Sequence, residues 1–178
     1  MRMSATRTRV FLDTCVLYPP ILRRFLLTLA DGGAFEPLWS DGVAAEWLHV
    51  TARRGEDGAA QALARMAARW PAGSVGPGEP ELLDLPDAAD RHVLAAALAG
   101  GAEVLLTLNL RDFPRRALAH HGLRAMTPDD FAMDLWLADR APVEAAVALV
   151  WPGLSGRALR AALRKGGLMR LGRALEGG

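Results

Sequence analysis

Cysteine is almost absent from this chain of 178 residues, where it occurs only as Cys15. A single cysteine excludes an intramolecular disulfide, and no CxxC pair or Cys/His cluster supplies ligands for structural zinc. The fold must therefore be stabilised without covalent or zinc cross-links. A reducing compartment suits such a chain best, so we expect a cytoplasmic protein.

Long apolar runs are absent as well. No stretch reaches the roughly 20 uninterrupted apolar residues that a membrane helix needs. The basic start MRMSATRTR precedes an apolar stretch, but Asp13 and the pair Pro19-Pro20 interrupt it, and no cleavage site is evident. We expect neither a signal peptide nor a membrane partner.

Neither sign of charge dominates the chain. The sequence has 21 Lys and Arg residues against 20 Asp and Glu residues, which gives a formal net charge of +1. Bulk electrostatics therefore select no partner, and a nucleic-acid site must come from local clustering of arginine. Because 51% of the residues are hydrophobic and 23% are charged, we expect a soluble globular protein with one main core.

Short apolar runs alternate along the chain with longer segments of helical spacing. RVFLD and EVLLTL are apolar and followed by polar turns, which predicts two buried strands, and FEPLWSD predicts a shorter one. Helices are predicted for LYPPILRRFLLTLADGG, GVAAEWLHVTARR, GAAQALARMAARW, the segment from PDAAD to AGG, and TPDDFAMDLWLADR onward. The Gly/Pro-rich stretch PAGSVGPGEPE is predicted to be a loop. This alternation indicates an α/β fold with a central, mainly parallel sheet and crossover helices.

Acidic residues stand where an apolar core is expected. Asp13 ends the first strand, Glu46 lies at helical spacing from Val43 and Val50, and Asp90 precedes an apolar helix face. We expect these three carboxylates to point towards a shared interior, because functional groups gather beyond the carboxyl ends of parallel strands. Buried carboxylates need compensation, which a hydrated Mg²⁺ or Mn²⁺ ion provides while activating water against a phosphodiester.

Further polar residues lie at the two strand ends. Asn109 and Asp112 follow EVLLTL closely, Thr107 lies within it, and Thr14 follows the first strand. The two hydroxyls suit the positioning of carboxylates or of a scissile phosphate. An equally good interpretation of both threonines is β-favouring filler at strand ends.

Each acid also has an interpretation without function. Asp13 at a strand end fits a turn or helix cap, Glu46 alone fits a solvated helix face, and Asp90 alone fits the first turn of a helix. Asp87 is best explained as a helix-start acid. Only the acids taken together, and none of them alone, predict a functional site.

Three segments resemble the PIN-domain ribonucleases, a family that includes the VapC-type toxins of toxin–antitoxin pairs. These segments are VFLDTCVLYP, SDGVAAEW and DAADRHVLAAALAGGAEVLLTLNLRDFP, and the resemblance spans about the first 135 residues. It implies a three-layer α/β/α fold. We accordingly expect a PIN-like nuclease domain over residues 1–136 and a helical, basic extension over residues 137–178.

The resemblance also implies cleavage of RNA that depends on Mg²⁺ or Mn²⁺. The acidic site that it implies consists of four catalytic and metal-binding residues: Asp13, Glu46, Asp90 and Asp112. Relatives often have Asp at the place of Asn109, so either Asn109 or Asp112 completes the metal ligands. Relatives also tend to have Asn or Ser at the place of Cys15, which we interpret as a small buried filler. No helper histidine is placed beside Cys15 by the pattern, which argues against a nucleophilic thiol.

The implied protein is an endoribonuclease that hydrolyses RNA phosphodiester bonds as the toxin of a type II toxin–antitoxin pair. RNA would be its substrate and an antitoxin its protein partner, with a homodimer as a further option. The alternative is a PIN-like module that binds RNA or protein with little or no catalysis.

Cations dominate the segment after Arg140. They are Arg157, Arg160, Arg164, Lys165, Arg170 and Arg173, against only Glu144 and Glu176. Leucines recur there at helical intervals, which predicts a basic amphipathic segment interrupted at Gly166-Gly167. Three interpretations stay open: contact with RNA phosphates, cover by a partner such as an antitoxin, or a helix packed on its own domain with its arginines in water.

Overall fold

Five strands form one sheet in the computed structural model, which describes residues 7–177. The strands are β1 (Arg9–Leu12), β2 (Glu36–Ser40), β3 (Ser74–Val75), β4 (Val104–Leu106) and β5 (Arg124–Met126). Their order across the sheet is β3-β2-β1-β4-β5, and every neighbouring pair is parallel. The predicted α/β class with a parallel sheet is therefore confirmed.

Helices connect the strands and continue after the last one. Among the described residues the α-helices are α1 (Thr14–Leu17), α2 (Pro20–Asp31), α3 (Asp41–Arg53), α4 (Ala59–Arg69), α5 (Arg91–Ala99), α6 (Arg115–Ala119), α7 (Pro128–Ala138), α8 (Arg140–Val150), α9 (Gly156–Lys165) and α10 (Met169–Glu176). Pro20 opens α2 and Gly32 follows its end, where the fixed φ of proline and the small size of glycine favour helix termini. The predicted helices are thus present, with ends that differ by a few residues.

The central strands are buried on both faces. Val10, Phe11 and Leu12 of β1 are fully buried, and Leu105 and Leu106 of β4 are buried beside them. Strands covered by helices on both faces have apolar residues without polar alternation, which is why these runs were recognisable in the sequence.

The strand order places a switch point between β1 and β4. The chain moves outward from β1 to β2 and β3, and then crosses over to β4 and β5 on the other side. Because crossovers between parallel strands are right-handed, the first helices cover one face of the sheet, and α5 and α6 cover the other. This arrangement gives the expected three-layer α/β/α fold. It also leaves a crevice beyond the carboxyl ends of β1 and β4, where Asp13 and Thr107 follow directly.

Two short edge strands escaped prediction. The loop predicted for PAGSVGPGEPE is wrong at Ser74 and Val75, which form β3 and pair with Trp39 and Ser40 of β2. β5 pairs with β4 at the opposite edge of the sheet. Ser74, Val75 and the residues of β5 are exposed or only partly buried, so these edge strands lack the buried apolar run that revealed β4.

The C-terminal helices pack on the rest of the chain. α7 runs across the predicted boundary between residues 136 and 137, α8 packs against α2, and α10 packs against α7. Val143, Val147 and Leu171 are buried in the same apolar cluster as the central strands. Residues 137–177 are largely helical, as predicted, whereas the division of the chain into a domain and an extension stays a prediction.

A carboxylate on α7 anchors the start of α10. The two carboxylate oxygens of Asp129 accept hydrogen bonds from the backbone N–H groups of Arg170 (2.8 Å) and Leu171 (3.1 Å). The first N–H groups of a helix lack partners within the helix and carry its positive dipole end, so this acid caps α10 from another helix. The C-terminal hairpin is thereby held at the N-terminal end of α7.

No helix within residues 7–177 has both the length and the apolar character needed to cross a membrane. Residues 1–6 of the basic start lie outside the described residues, so the expectation about that segment stays a prediction.

We expect Asp129→Ala to lower the free energy of unfolding by about 1 kcal/mol, because loss of a helix cap typically has an effect of that size. Urea denaturation measures this change. Asp134→Ala is the matched control, since Asp134 lies exposed on the same helix and forms no ion pair among the described residues. An equal loss in both variants would show that the Asp129 contacts contribute nothing specific.

Candidate active site

The carboxylate of Asp13 is buried at the carboxyl end of β1, with 7% of the residue exposed. One oxygen accepts a hydrogen bond from the backbone N–H of Thr14 (2.7 Å), so Asp13 caps the short helix α1. The other oxygen accepts from the Thr107 hydroxyl (2.8 Å) and from the Cys15 thiol (3.3 Å). Since a carboxylate has about four acceptor positions, three donors leave it room for one further partner.

Thr107 connects the two strand ends. Its side chain is fully buried, its hydroxyl accepts from the backbone N–H of Asn109 (3.0 Å), and its own N–H donates to the Met126 carbonyl of β5 (3.1 Å). A threonine that merely fills a β position would not satisfy both a carboxylate and a backbone group. The Thr107 hydroxyl thus orients Asp13, a contact that the filler interpretation does not account for.

Burial raises the pKa of the Asp13 carboxyl, because water no longer stabilises its charge. Hydrogen bonds from Thr107, Cys15 and Thr14 act in the opposite direction, and the negative charge of Glu46 adds to the increase. The net result is a raised pKa of Asp13, whose carboxylate is held in place by three hydrogen-bond donors.

Glu46 lies at the rim of the crevice and not in the interior. Its neighbours Val43 and Trp47 on α3 are buried, whereas Glu46 itself is exposed. The expectation that it points into a shared interior with Asp13 is wrong. The Thr14 hydroxyl nevertheless donates a hydrogen bond of 2.6 Å to its carboxylate, which ties Glu46 to the segment that follows β1.

Asp90 lies half-buried at the start of α5. Partial burial raises the pKa of Asp90, and the negative charges of Asp112, Asp87 and Asp13 raise it further. The carboxylates around the crevice therefore influence one another electrostatically. Asp87 accepts a hydrogen bond from the backbone N–H of Ala89 (2.8 Å), so its interpretation as a helix-start acid is confirmed.

Asn109 directly precedes the turn of 3₁₀ helix that follows β4, and Asp112 is the last residue of that turn. Asp112 is half-buried and its charge reaches Asp90, whereas Asn109 is exposed and makes no capping hydrogen bond with its side chain. Of these two residues, Asp112 is therefore the one that interacts electrostatically with another acid of the site.

Cys15 takes part in the polar network, contrary to its interpretation as a simple filler. Its sulfur accepts from the backbone N–H of Leu108 (3.2 Å) while the thiol donates to Asp13. Burial and the charge of Asp13 raise the pKa of the Cys15 thiol to about 12, so the thiol stays protonated. This excludes a resting thiolate nucleophile. Its position two residues after Asp13 was the sign of this role in the sequence.

The chemistry of the acids fits a hard divalent cation. Among the described residues, none of the four predicted carboxylates forms an ion pair with arginine or lysine. Carboxylate oxygens are the ligands that Mg²⁺ and Mn²⁺ prefer, usually one or two of them together with retained water. Within residues 7–177, however, no three acidic, histidine or cysteine side chains form a group able to hold a metal by themselves.

Replacing Thr107 with Val should raise the pKa of Asp13 further, because the lost hydroxyl hydrogen bond favours the charged form. The pH titration of the Asp13 side-chain carbon, followed by NMR, measures this increase. Thr107→Ser keeps the hydroxyl and should leave the pKa close to that of the native protein. An unchanged pKa in Thr107→Val would contradict the role of the hydroxyl.

A family of known proteins matches the part of the chain that contains most of this candidate site. The sequence description of the PIN domain matches residues 9–111, more than half of the chain. The matched range begins with β1 and contains Asp13, Glu46, Asp90 and Asn109, whereas Asp112 follows it directly. It therefore includes both strands that border the crevice.

One curated relative matches over a short stretch. A protein of Mycobacterium tuberculosis named "Putative ribonuclease VapC50" is 53% identical over 45 residues. The stretch covers 25% of this chain and 27% of the relative, so the chain spans about a quarter of the curated protein it matches. No solved structure matches the chain at a significant level. Because the PIN-domain match covers more than half of the chain and the fold agrees with it, this chain belongs to the PIN-domain family.

Proposed function

We propose that this protein is a metal-dependent endoribonuclease that acts as the toxin of a type II toxin–antitoxin pair. One observation carries the proposal: Asp13 is buried at the switch point of the sheet, and none of the four candidate carboxylates has a cationic partner among the described residues. The charges of neighbouring acids raise the pKa values of Asp13 and Asp90, in agreement with this arrangement. Membership of the PIN-domain family and the name of the mycobacterial relative support the choice of RNA as substrate.

We assign the carboxylates roles according to their burial. Asp13 and Asp90 would contact the ion most directly, and Glu46 would contact it or position water from the rim. Asp112 would complete the site in preference to Asn109, because it carries charge and interacts with Asp90. When bound, Mg²⁺ or Mn²⁺ supplies positive charge that polarises a phosphodiester and lowers the pKa of water.

Neighbouring side chains hold the carboxylates in their orientations. Thr107 and Cys15 donate to one oxygen of Asp13, and Thr14 donates to Glu46 through its hydroxyl. Such contacts restrict the rotation of the acids without neutralising them. We therefore propose that Thr14 and Thr107 act by positioning carboxylates, which in turn position the substrate. An antitoxin partner, a homodimer and cytoplasmic location remain predictions.

The alternative is a binding module without catalysis. It requires that the acids have no chemical role, although Asp13 is buried and uncompensated by a cation. Burial of that charge costs free energy, which the hydrogen bonds from Thr14, Thr107 and Cys15 offset only in part, since the pKa of Asp13 is still raised. A bound cation would offset the remainder. The catalytic function therefore accounts for more of the structure.

We expect Asp13→Asn to reduce Mn²⁺-dependent cleavage of a mixed RNA pool by about a hundredfold or more, the usual effect of losing a group that stabilises transition-state charge. Asp90→Asn should have a similar effect, since it removes a second carboxylate from the same field. Initial rates on labelled RNA measure both. Asp84→Asn is the control, because Asp84 is exposed and its charge is not among those that raise the pKa of Asp13 or Asp90. Native protein that leaves RNA intact in Mn²⁺ would favour the binding module.

Induced expression in a bacterium tests the toxin role. We expect the native protein to arrest growth and Asp13→Asn to permit it, because arrest by a toxin of this kind depends on RNA cleavage. Growth curves with equal amounts of both proteins, verified by immunoblot, measure the difference. Equal growth of both strains, with cleavage still present in vitro, would contradict the toxin role and leave the nuclease activity standing.

A further inference from the structure

The hairpin formed by α9 and α10 carries an excess of positive charge. Over residues 156–176, called here the basic hairpin, the sequence has six cations and one acid. These cations are Arg157, Arg160, Arg164, Lys165, Arg170 and Arg173, and all of them are exposed. A chain with a net charge of +1 therefore concentrates its positive charge locally at its C-terminal end.

The two helices of the basic hairpin pack closely. Leu163, Leu168 and Leu171 are fully buried between the hairpin and its neighbours. Gly172 permits the close approach, because a Cβ atom there would lie 3.2 Å from Cβ of Leu163 and 3.3 Å from the carbonyl oxygen of Arg160. Packing of the apolar faces thus brings arginines of both helices to one side.

Four of these arginines surround a cavity of about 260 Å³. Its lining consists of Arg157, Arg160, Arg164 and Arg173, together with Ala161 and Met169. Arg160 pairs with Glu176, whereas Arg157, Arg164 and Arg173 form no ion pair among the described residues. Like charges gathered around one cavity repel each other, and an anion between them would relieve that repulsion. Guanidinium groups are also well suited to phosphate, since they donate two parallel hydrogen bonds.

Contacts connect the basic hairpin to the acidic crevice. Asp129 caps α10, and α7, which carries Asp129, begins directly after Thr127 at the carboxyl end of β5. The last residue of β5, Met126, accepts a hydrogen bond from Thr107, whose hydroxyl contacts Asp13. The hairpin is therefore anchored at the same edge of the sheet as the acids.

We propose that the basic hairpin binds the phosphate backbone of the RNA next to the bond that the acidic crevice cleaves. This inference rests on the proposed function for the identity of the polymer. Carboxylates repel RNA, so a cationic surface anchored at the same edge supplies the attraction that the crevice lacks. Contacts to phosphates are independent of base identity, so the hairpin contributes affinity and leaves sequence selection to other residues.

Binding is measured in an Asp13→Asn background, where RNA remains intact, by fluorescence anisotropy of a labelled single-stranded 20-nucleotide RNA at several salt concentrations. Replacing Arg157, Arg164 and Arg173 together with Gln should weaken binding at least about tenfold. The slope of log affinity against log salt should fall in magnitude by about 2, because each lost contact to single-stranded phosphate removes about 0.7. Replacing the same residues with Lys should restore most of the slope, since charge is retained.

A matched control removes the same charge elsewhere. Arg24, Arg65 and Arg69 are exposed and line another cavity, of about 660 Å³, between α2 and α4. Their joint replacement with Gln should change RNA affinity by less than about twofold, beyond the general effect of net charge. Equal losses in the two triple variants would overturn the proposal, because they would show attraction by total charge alone. Unchanged RNA binding in the hairpin variant would overturn it as well. If polyglutamate binding alone were then lost, the surface would belong to an acidic protein partner.

Kinetics separate this inference from the proposed function. With Asp13 intact, the hairpin variant should raise KM for long RNA about tenfold and leave kcat and the cleavage of a tetranucleotide unchanged. Long RNA cleaved with unchanged KM would contradict the inference while the nuclease function stands. If the native protein cleaves no RNA but the Asp13→Asn series shows the expected salt slopes, the nuclease function fails and the phosphate-binding surface stands. Unfolding temperatures verify that each variant is folded; the substituted arginines are exposed, whereas Asp13 is buried, so Asp13→Asn is compared with the native protein first.

Discussion

The hydrogen bond from the Thr107 hydroxyl to the Asp13 carboxylate joins the ends of β1 and β4, where the connections of the sheet diverge. Much of the candidate site depends on it. The same threonine holds the backbone of Asn109 and of Met126, and so places the turn after β4 and the end of β5. α7 begins shortly after β5, and Asp129 of α7 anchors the C-terminal hairpin. The hydroxyl and the backbone N–H of one buried threonine thus relate the acids, the sheet and the tail to one another.

The net charge of +1 conceals a spatial separation of charge, because acids and arginines gather in different parts of the molecule. Acids gather in the crevice, where burial and mutual repulsion raise the pKa values of Asp13 and Asp90. Arginines gather on the C-terminal hairpin, where three of them lack an acidic partner among the described residues. Each cluster is costly by itself, because like charges repel. A cation in the crevice and a polyanion across the hairpin would relieve both excesses.

Prediction from the sequence succeeded where burial leaves a long pattern and failed where an element is defined by contact alone. β1 and β4 were recognisable because both faces are covered and their runs are apolar, whereas β3 and β5 lie at the sheet edges and are only partly buried. The helical face containing Val43 and Trp47 was identified, but not the exposure of Glu46, since spacing does not show where a helix side chain meets the rim of a crevice. Cys15 was taken for filler because the Leu108 backbone and Thr107 approach it only in the folded chain.

The sequence by itself determined the α/β class, the parallel sheet, the main helices and the identity of the candidate acids, because these follow from local periodicity and from motifs in continuous segments. Only the tertiary structure decided that Asp13 is held by Thr107, that Glu46 lies exposed at the rim, and that Asp129 caps α10. Each of these contacts joins residues more than thirty positions apart. Strand order and helix packing decide which residues meet in these contacts, and no local sequence pattern shows which ones will.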